Sequence, residues 1–295
     1  MNKPALTIAE QLTLLKERKL SYDVGDRNAL GRLLLSKGYY RLSGYWRYFQ
    51  VSPHNGDNTF NPGITLGMIN DVYEFDEILR SILLEGLTAF EVTFRTRLAY
   101  FFSTVSDPYD YLSLDLYRDE VEVREGKKVE LRVELVADIK KELSRSREDF
   151  IRSHLSAQKP IPLWVAVEVL SMGTVSKMYR LLLNDDVRYP VSKSFGYPDP
   201  EFTETISRSF STLRNKCAHS ARIWNHSCVN PPRVLKDLKT DKDKTIYSRT
   251  PWSFIVMLAS AVDGINGTTS YSADLFGHID KYPEFRLGLT HPHRR

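Results

Sequence analysis

Residues 214–226 read Arg-Asn-Lys-Cys-Ala-His-Ser-Ala-Arg-Ile-Trp-Asn-His. Two arginines, two histidines and two asparagines fall in this stretch, and no carboxylate lies between Glu204 and Asp237 to neutralise them. Continued as a helix, the segment puts Asn215, His219, Arg222 and His226 on one stripe. Arg214, Ala218, Ala221 and Asn225 form the next stripe. Phe202, Ile206, Phe210, Leu213, Cys217 and Trp224 make the buried face. Arginine presents a planar fork to phosphate oxygens, and histidine exchanges a proton near neutrality. The set suits RNA cleavage by the substrate's own 2′-OH. That reaction needs a base, an acid and a cation beside the pentacoordinate phosphate, and no metal. On an ideal helix Arg214 and His219 stand about 140° apart. The long arginine side chain or a distorted helix has to close that gap.

The plain alternative is a solvated basic helix face. With seven histidines in the chain, arginine followed closely by histidine recurs at Arg47–His54, Arg147–His154 and Arg286–His291. What distinguishes Arg214–His219 is its company of Asn215, Arg222 and Asn225. Cys217, His219, His226 and Cys228 are four zinc-ligand types within twelve residues, but the spacing matches no common zinc pattern. Cys217 also points to the opposite helix side from His219. We expect no metal site and no cofactor, with Cys217 a small core residue.

A second stretch of interest precedes these. Arg27, Arg32, Lys37, Arg41 and Arg47 lie between Asp26 and Asp57 with no acid among them, interleaved with Tyr39, Tyr40, Tyr45, Trp46, Tyr48 and Phe49. Cations paired with phosphates and aromatics stacked on bases suit single-stranded RNA. Lys37, Tyr40, Arg41, Trp46 and Arg47 are the candidate RNA contacts. The alternative is that the aromatics pack inward and the cations extend past them. Glu91 and Arg95 are an i,i+4 pair, either an ordinary surface pair or one that orients the arginine of the catalytic stripe.

The elements that must position these residues are helical. Of 295 residues 42% are hydrophobic and 26% charged, enough for a packed core. The spacing predicts a segment capped by Thr7, one capped by Asp26 and ended by Gly38, and a long helix over 66–102. Further helical segments follow over 134–155, 164–170, 175–183, from about Glu201, and a last one over 252–262. Residues 120–135 alternate around Gly126 and read as either a hairpin or a charged helical arm. Ser52–Asn58 is turn-rich and marks a boundary. The sum is a mostly α chain of eight to ten helices without βαβ alternation. The longest apolar run, Phe254–Val262, is too short to cross a bilayer. Met1–Ala5 lacks a signal-peptide core, and two cysteines in all argue for a reducing compartment, so a cytoplasmic protein off the membrane is expected. A net charge of +4 permits an anionic partner.

The string Arg214–Asn225 resembles the R-N-x-x-A-H-x-x-R-x-W-N signature of the Abi-like family, the AbiD/AbiF abortive-infection proteins of bacterial phage defence. Gly38–Trp46 agrees in order, as do Tyr73–Asp76 with Leu79-Arg80, Glu91 to Arg95, and Pro162–Trp164 through Glu168–Gly173. The likeness covers roughly residues 5–285. It implies membership of the HEPN superfamily, and so a helical bundle with an R-x4-6-H ribonuclease motif in which Arg214 and His219 are catalytic and Asn215 is the polar residue after the arginine. It implies a homodimer with a composite site, which would also ease the 140° separation, and RNA as substrate with a small structured RNA as a further partner. Arg222, Asn225, Glu91 and Arg95 become supporting residues. Ser220 departs from relatives that carry a second histidine there. The implied architecture is an N-terminal helical extension over 1–60, then a HEPN-like domain over 61–295 with an insertion at about 115–155.

Three functions follow from these residues. The first is an endoribonuclease leaving 2′,3′-cyclic phosphate ends. The second is a non-catalytic module that grips a structured RNA. The third is a helical interaction protein whose Arg/His stripe is a dimer interface.

Overall fold

A computed structural model describes residues 4–292. Met1–Lys3, part of the segment read as lacking a signal peptide, lie outside the described residues. Thr7 caps α1 (Ile8–Glu17) in a reciprocal box with Glu10, as its position predicts. The next cap is Asp23, not Asp26. Asp26 is its partner three residues into α2 (Val24–Lys37), since a box needs its acid inside the first turn. Gly38, at φ +81°, ends α2 and lets α3 (Tyr39–Trp46) start at once.

The turn-rich Ser52–Asn58 is ordered by strand pairing. It closes a bulged hairpin of β1 (Gln50–Ser52) and β2 (Asp57–Phe60), whose Gln50 and Phe60 are buried. Leu42, Tyr45, Trp46 and Phe60 belong to the same hydrophobic cluster as the buried residues of the later helices, so residues 4–60 contribute to that core.

The long amphipathic pattern becomes α4 (Leu66–Val105), 40 residues and about 60 Å of helix. Its central stretch is buried from Phe75 through Phe94 on one side, and α3 packs against it. After it, the alternation around Gly126 is a hairpin, β3 (Val121–Arg124) paired with β4 (Lys127–Glu130). Glu125 and Gly126 both take positive φ in the two-residue turn, which matches the strand twist. Helices α5 (Leu131–Arg145) and α6 (Asp149–Ser156) follow the hairpin.

The apolar run after Pro162 yields only the single turn α7 (Leu163–Ala166). Ser171 caps α8 (Met172–Leu181), and Gly173 sits in its first turn. Helix α9 (Asp185–Ser194) was hidden in the sequence by Pro190 in its interior. Pro200 opens α10 (Pro200–Ala218), and residues 219–250 then run without an α-helix or strand. Helix α11 (Pro251–Asn266) is not the last, since α12 (Ser270–Asp280) and α13 (Arg286–Thr290) follow. The described residues thus form thirteen α-helices, more than the eight to ten expected. Helix α4 is the axis, touched by α3, by α7 through α10, and by α11 and α12. None of the described helices is long and apolar enough to cross a membrane.

Candidate active site at the end of the tenth helix

The buried face of α10 is as its spacing predicts: Phe202, Ile206, Phe210, Leu213 and Cys217 are all within the core. The helix, however, stops at Ala218, and the stripe through His226 does not exist. The Ala221 N–H donates to the Lys216 carbonyl at 2.8 Å and the Ser220 N–H to that of Cys217 at 3.0 Å. These are the two bonds of a Schellman stop, with Ser220 at φ +52° in the place where glycine is usual. A serine there gives no sequence signal for a helix end. The left-handed backbone is strained for an L side chain. Ser220→Gly is therefore expected to stabilise the fold by about 0.5–1 kcal/mol, read as a higher urea midpoint at unchanged slope.

His219 becomes the C-cap residue and is exposed, with its N–H bonded to the Asn215 carbonyl at 3.0 Å. Arg222 and Asn225 come from the loop beyond, not from the helix. That loop is fastened from beneath by a carboxylate remote in sequence. Asp76 of α4 is fully buried and accepts from the Trp224 N–H at 2.8 Å, the Ile223 N–H at 3.2 Å and the Tyr45 hydroxyl at 2.6 Å. Arg80, one turn along α4, donates to the same carboxylate and to the Tyr45 hydroxyl. Burial pushes the Asp76 carboxyl above its ordinary range, and Arg80, Tyr45 and the two backbone donors act against that push.

The loop is held on its other sides too. Trp224 is buried, donates to the Phe285 carbonyl at 2.8 Å, meets Tyr48 edge-on and stacks against Phe49. A Cβ on Gly288 would lie 2.3 Å from its indole nitrogen, so only glycine permits that approach. Arg41 donates to the Ser220 carbonyl. Arg222 donates to the Asn225 carbonyl at 3.0 Å and lies along Gly44 and the Tyr45 ring.

Glu91 supplies the carboxylate that the motif segment lacks. It is buried on α4, pairs with Arg95 one turn on, and places its other oxygen 3.3 Å from Arg214 Nε. Arg214 stays 42% exposed while held there. The guanidinium is thus fixed at one edge and open to solvent at the other. Arg214 and Asn215 line a cleft of about 920 Å³ with Arg95 and, from the end of α5 to the start of α6, Arg145, Arg147 and Phe150. Among the described residues no hydrogen bond or ion pair joins Arg214 to His219. Burial raises the Cys217 thiol to about 12 and lowers the Lys216 ammonium from its usual value. Cys217 accordingly sits in the core as an inert thiol.

The five N-terminal candidates fare differently. Tyr40 is 92% exposed. Trp46 is 1% exposed, set edge-on to Tyr39 and Phe60, so its ring is not available to stack on a base. Lys37 pairs with Glu77 at 2.9 Å, and Arg47 donates to the Pro53 carbonyl at 3.3 Å. Arg41 is spent on Ser220. Three of the four charged and aromatic side chains beside Tyr40 therefore have structural partners in the fold, and the fourth is core.

The residues that sequence reasoning left without a role are Asp76, Arg80 and Tyr45. The signal was present. Asp76 and Arg80 stand four apart on an apolar face, where an unpaired charge is not tolerated. Comparison with curated proteins and with solved structures finds no match for the chain. A family described as Abi-like protein matches residues 32–225. The match starts inside α2 and ends at Asn225, narrower than the 5–285 the motifs suggested, and it takes in Asp76, Glu91, Arg214 and His219. The chain belongs to the Abi-like protein family.

Proposed function

We propose that the chain is a metal-independent endoribonuclease of abortive-infection phage defence, of the HEPN type, acting as a homodimer in the cytoplasm. The observation that supports it most is Arg214, held by the buried Glu91 yet open on its outer edge, on the same helix end as the exposed His219. A phosphate docked on that edge meets a guanidinium whose orientation is set beforehand.

In the reaction, one His219 takes the proton of the 2′-OH. The 2′ oxygen bonds to phosphorus, the bond from phosphorus to the 5′ oxygen breaks, and that oxygen takes a proton from a second histidine. Arg214 stabilises the added negative charge. The second histidine is His219 of a second copy, docked through the exposed ends of the two α10 helices. Asn215 orients the phosphate, and Arg222 and Asn225 shape the loop beside it. Products end in 2′,3′-cyclic phosphate. The test is incubation of nucleic-acid-free protein with labelled RNAs in EDTA, wild type beside His219→Ala, with product ends identified by mass.

Glu91 and Arg95 act through Arg214, as positioning residues. Glu91→Gln keeps the side-chain shape and removes the charge. It is expected to lower kcat roughly ten- to hundredfold by loosening Arg214. KM should change by less, and Glu91→Asp should recover part of the rate. Equal kcat in wild type and Glu91→Gln would reduce the pair to packing.

The rival reading is a non-catalytic RNA grip, favoured by the many side chains of the motif loop that are engaged within the fold. It predicts tight, salt-sensitive binding with no cleavage by the wild type.

A further inference from the structure

The lysine-rich segment after Pro231-Pro232 lies outside every role given above. It folds over the first turn of α10, where Phe202 lies at the base of a cleft of about 930 Å³. Lys193, Arg233, Lys236, Lys239 and Lys244 line that cleft against one lining carboxylate, Asp237. Ser248 lines this cleft and also a second one of about 880 Å³. The second cleft holds Arg249, His226 and His291 together with Arg222 and Asn225 of the motif loop, and no carboxylate lines it. The two clefts therefore meet at Ser248, with basic side chains of the lysine segment on one side and of the loop that follows His219 on the other.

The segment is fixed before anything binds. Lys244 donates to the carbonyls of Lys239 and Asp241, at 2.5 and 2.6 Å. The Asp241 N–H donates to the Tyr247 hydroxyl at 3.1 Å, and Asp243 accepts from Thr245 and bonds His291 at 2.8 Å. Arg233 faces Asp199 at 3.6 Å and covers the Phe202 ring. Lys193 donates to the Pro198 carbonyl. Among the described residues, Lys236 and Lys239 are exposed and neither ammonium has a hydrogen bond or ion pair. A folded loop thus presents two unspent charges at the rim of a concave basic surface.

We propose that these two joined clefts form the track on which RNA phosphates lie as the strand approaches the candidate site, a proposal that rests on the reading of the chain as an RNA enzyme. The shape selects the ligand. A chain of phosphates enters a concave cleft, whereas a flat anionic bilayer does not reach its floor. The aromatic residues below, Phe202, Tyr197 and Tyr247, are buried, so binding is through the backbone and independent of sequence. The N-terminal basic stretch is a poorer track because Lys37, Arg41 and Arg47 are already engaged.

The test uses full-length protein carrying His219→Ala, so that RNA survives the titration. Binding of a fluorescein-labelled oligouridylate is followed across a salt series. Lys236→Glu with Lys239→Glu is compared with Arg27→Glu with Arg32→Glu, the same charge change on exposed positions of α2. The lysine pair is expected to raise Kd about tenfold or more near 0.1 M salt and to flatten the log–log salt slope by about 1.4, two phosphates at about 0.7 each. The α2 pair should do much less. Equal losses in the two variants, an unchanged Kd in the lysine pair, or displacement of the RNA by polyglutamate as readily as by unlabelled RNA would each overturn the track, and so would no RNA binding at all. Circular dichroism checks that both variants are folded. Cleavage is scored separately on chains that keep His219. Cleavage with binding untouched by the lysine pair removes the track alone. Binding that the lysine pair abolishes, with no cleavage, keeps the track and removes the enzyme.

Discussion

His219→Ala is expected to abolish the RNA cleavage proposed for the wild-type protein in EDTA. The expected loss in rate is about 10²–10⁴-fold, the usual worth of a positioned proton-transfer group. If the site is composite, as proposed, the loss should be steeper than for one histidine, since each site of the dimer would lose both proton carriers at once. The fold should be indifferent to the change. His219 is exposed and follows the last helical residue, and its structural bond is made by its backbone N–H. An unchanged urea midpoint beside lost cleavage therefore assigns the effect to chemistry. Binding of RNA by the variant should stay close to wild type, because Arg214 and the lysine-lined clefts are intact. Cleavage at the wild-type rate by purified His219→Ala would sink the catalytic assignment. Cleavage by neither protein, with RNA still bound tightly, would move the function to an RNA grip.

Asp76→Asn carries the largest expected cost in stability. The substitution removes the counter-charge of Arg80, which is itself 4% exposed, and turns one acceptor of a fully buried group into a donor. Breaking a buried pair from one side costs about 3–5 kcal/mol. At roughly 2–4 °C per kcal/mol for a chain of this size, Tm should fall by about 10 °C. The loss reaches the site as well, because the Ile223 and Trp224 N–H groups hold the motif loop to that carboxylate. Asp76→Asn with Arg80→Met should be less destabilised than Asp76→Asn alone, since no buried charge is then left over. Denaturant unfolding of the three variants decides the matter. A wild-type midpoint in Asp76→Asn would mean that the ion pair does not hold the loop.

Both predictions turn on residues that the sequence exposes unequally. His219 is legible because its neighbours are chemically unusual within one short segment. Asp76 is legible only through its i,i+4 partner Arg80; the loop it holds is not, because Tyr45, Ile223 and Trp224 are 31, 147 and 148 residues away. The helix through 66–102 is readable from its apolar period, as is the Thr7 cap, both local features, whereas the alternation about Gly126 fits a hairpin and a helical arm alike. Helix α9 was masked by Pro190, and α12 and α13 carry weaker patterns beyond the most apolar helix. Trp46 shows the same limit from the other side. An aromatic beside arginines looks the same in sequence whether it meets a base or the core, and packing against Tyr39 and Phe60 decided for the core.

The sequence alone determined the mostly α class, the buried face of α10, the Arg214–His219 segment and the Abi-like family. Periodicity, composition and motif spacing are carried by residues close in the chain. Tertiary structure alone decided where α10 ends and what holds the arginine. The stop at Ala218 rests on a left-handed serine, a residue with no strong preference for that conformation, and it is kept there by Arg41 and by the loop that Asp76 anchors. The charge of Arg214 finds no carboxylate within its own segment, and only the packing of α4 against α10 brings Glu91 to it. Counter-charges and helix stops of this kind depend on groups far apart in sequence, which no local pattern encodes.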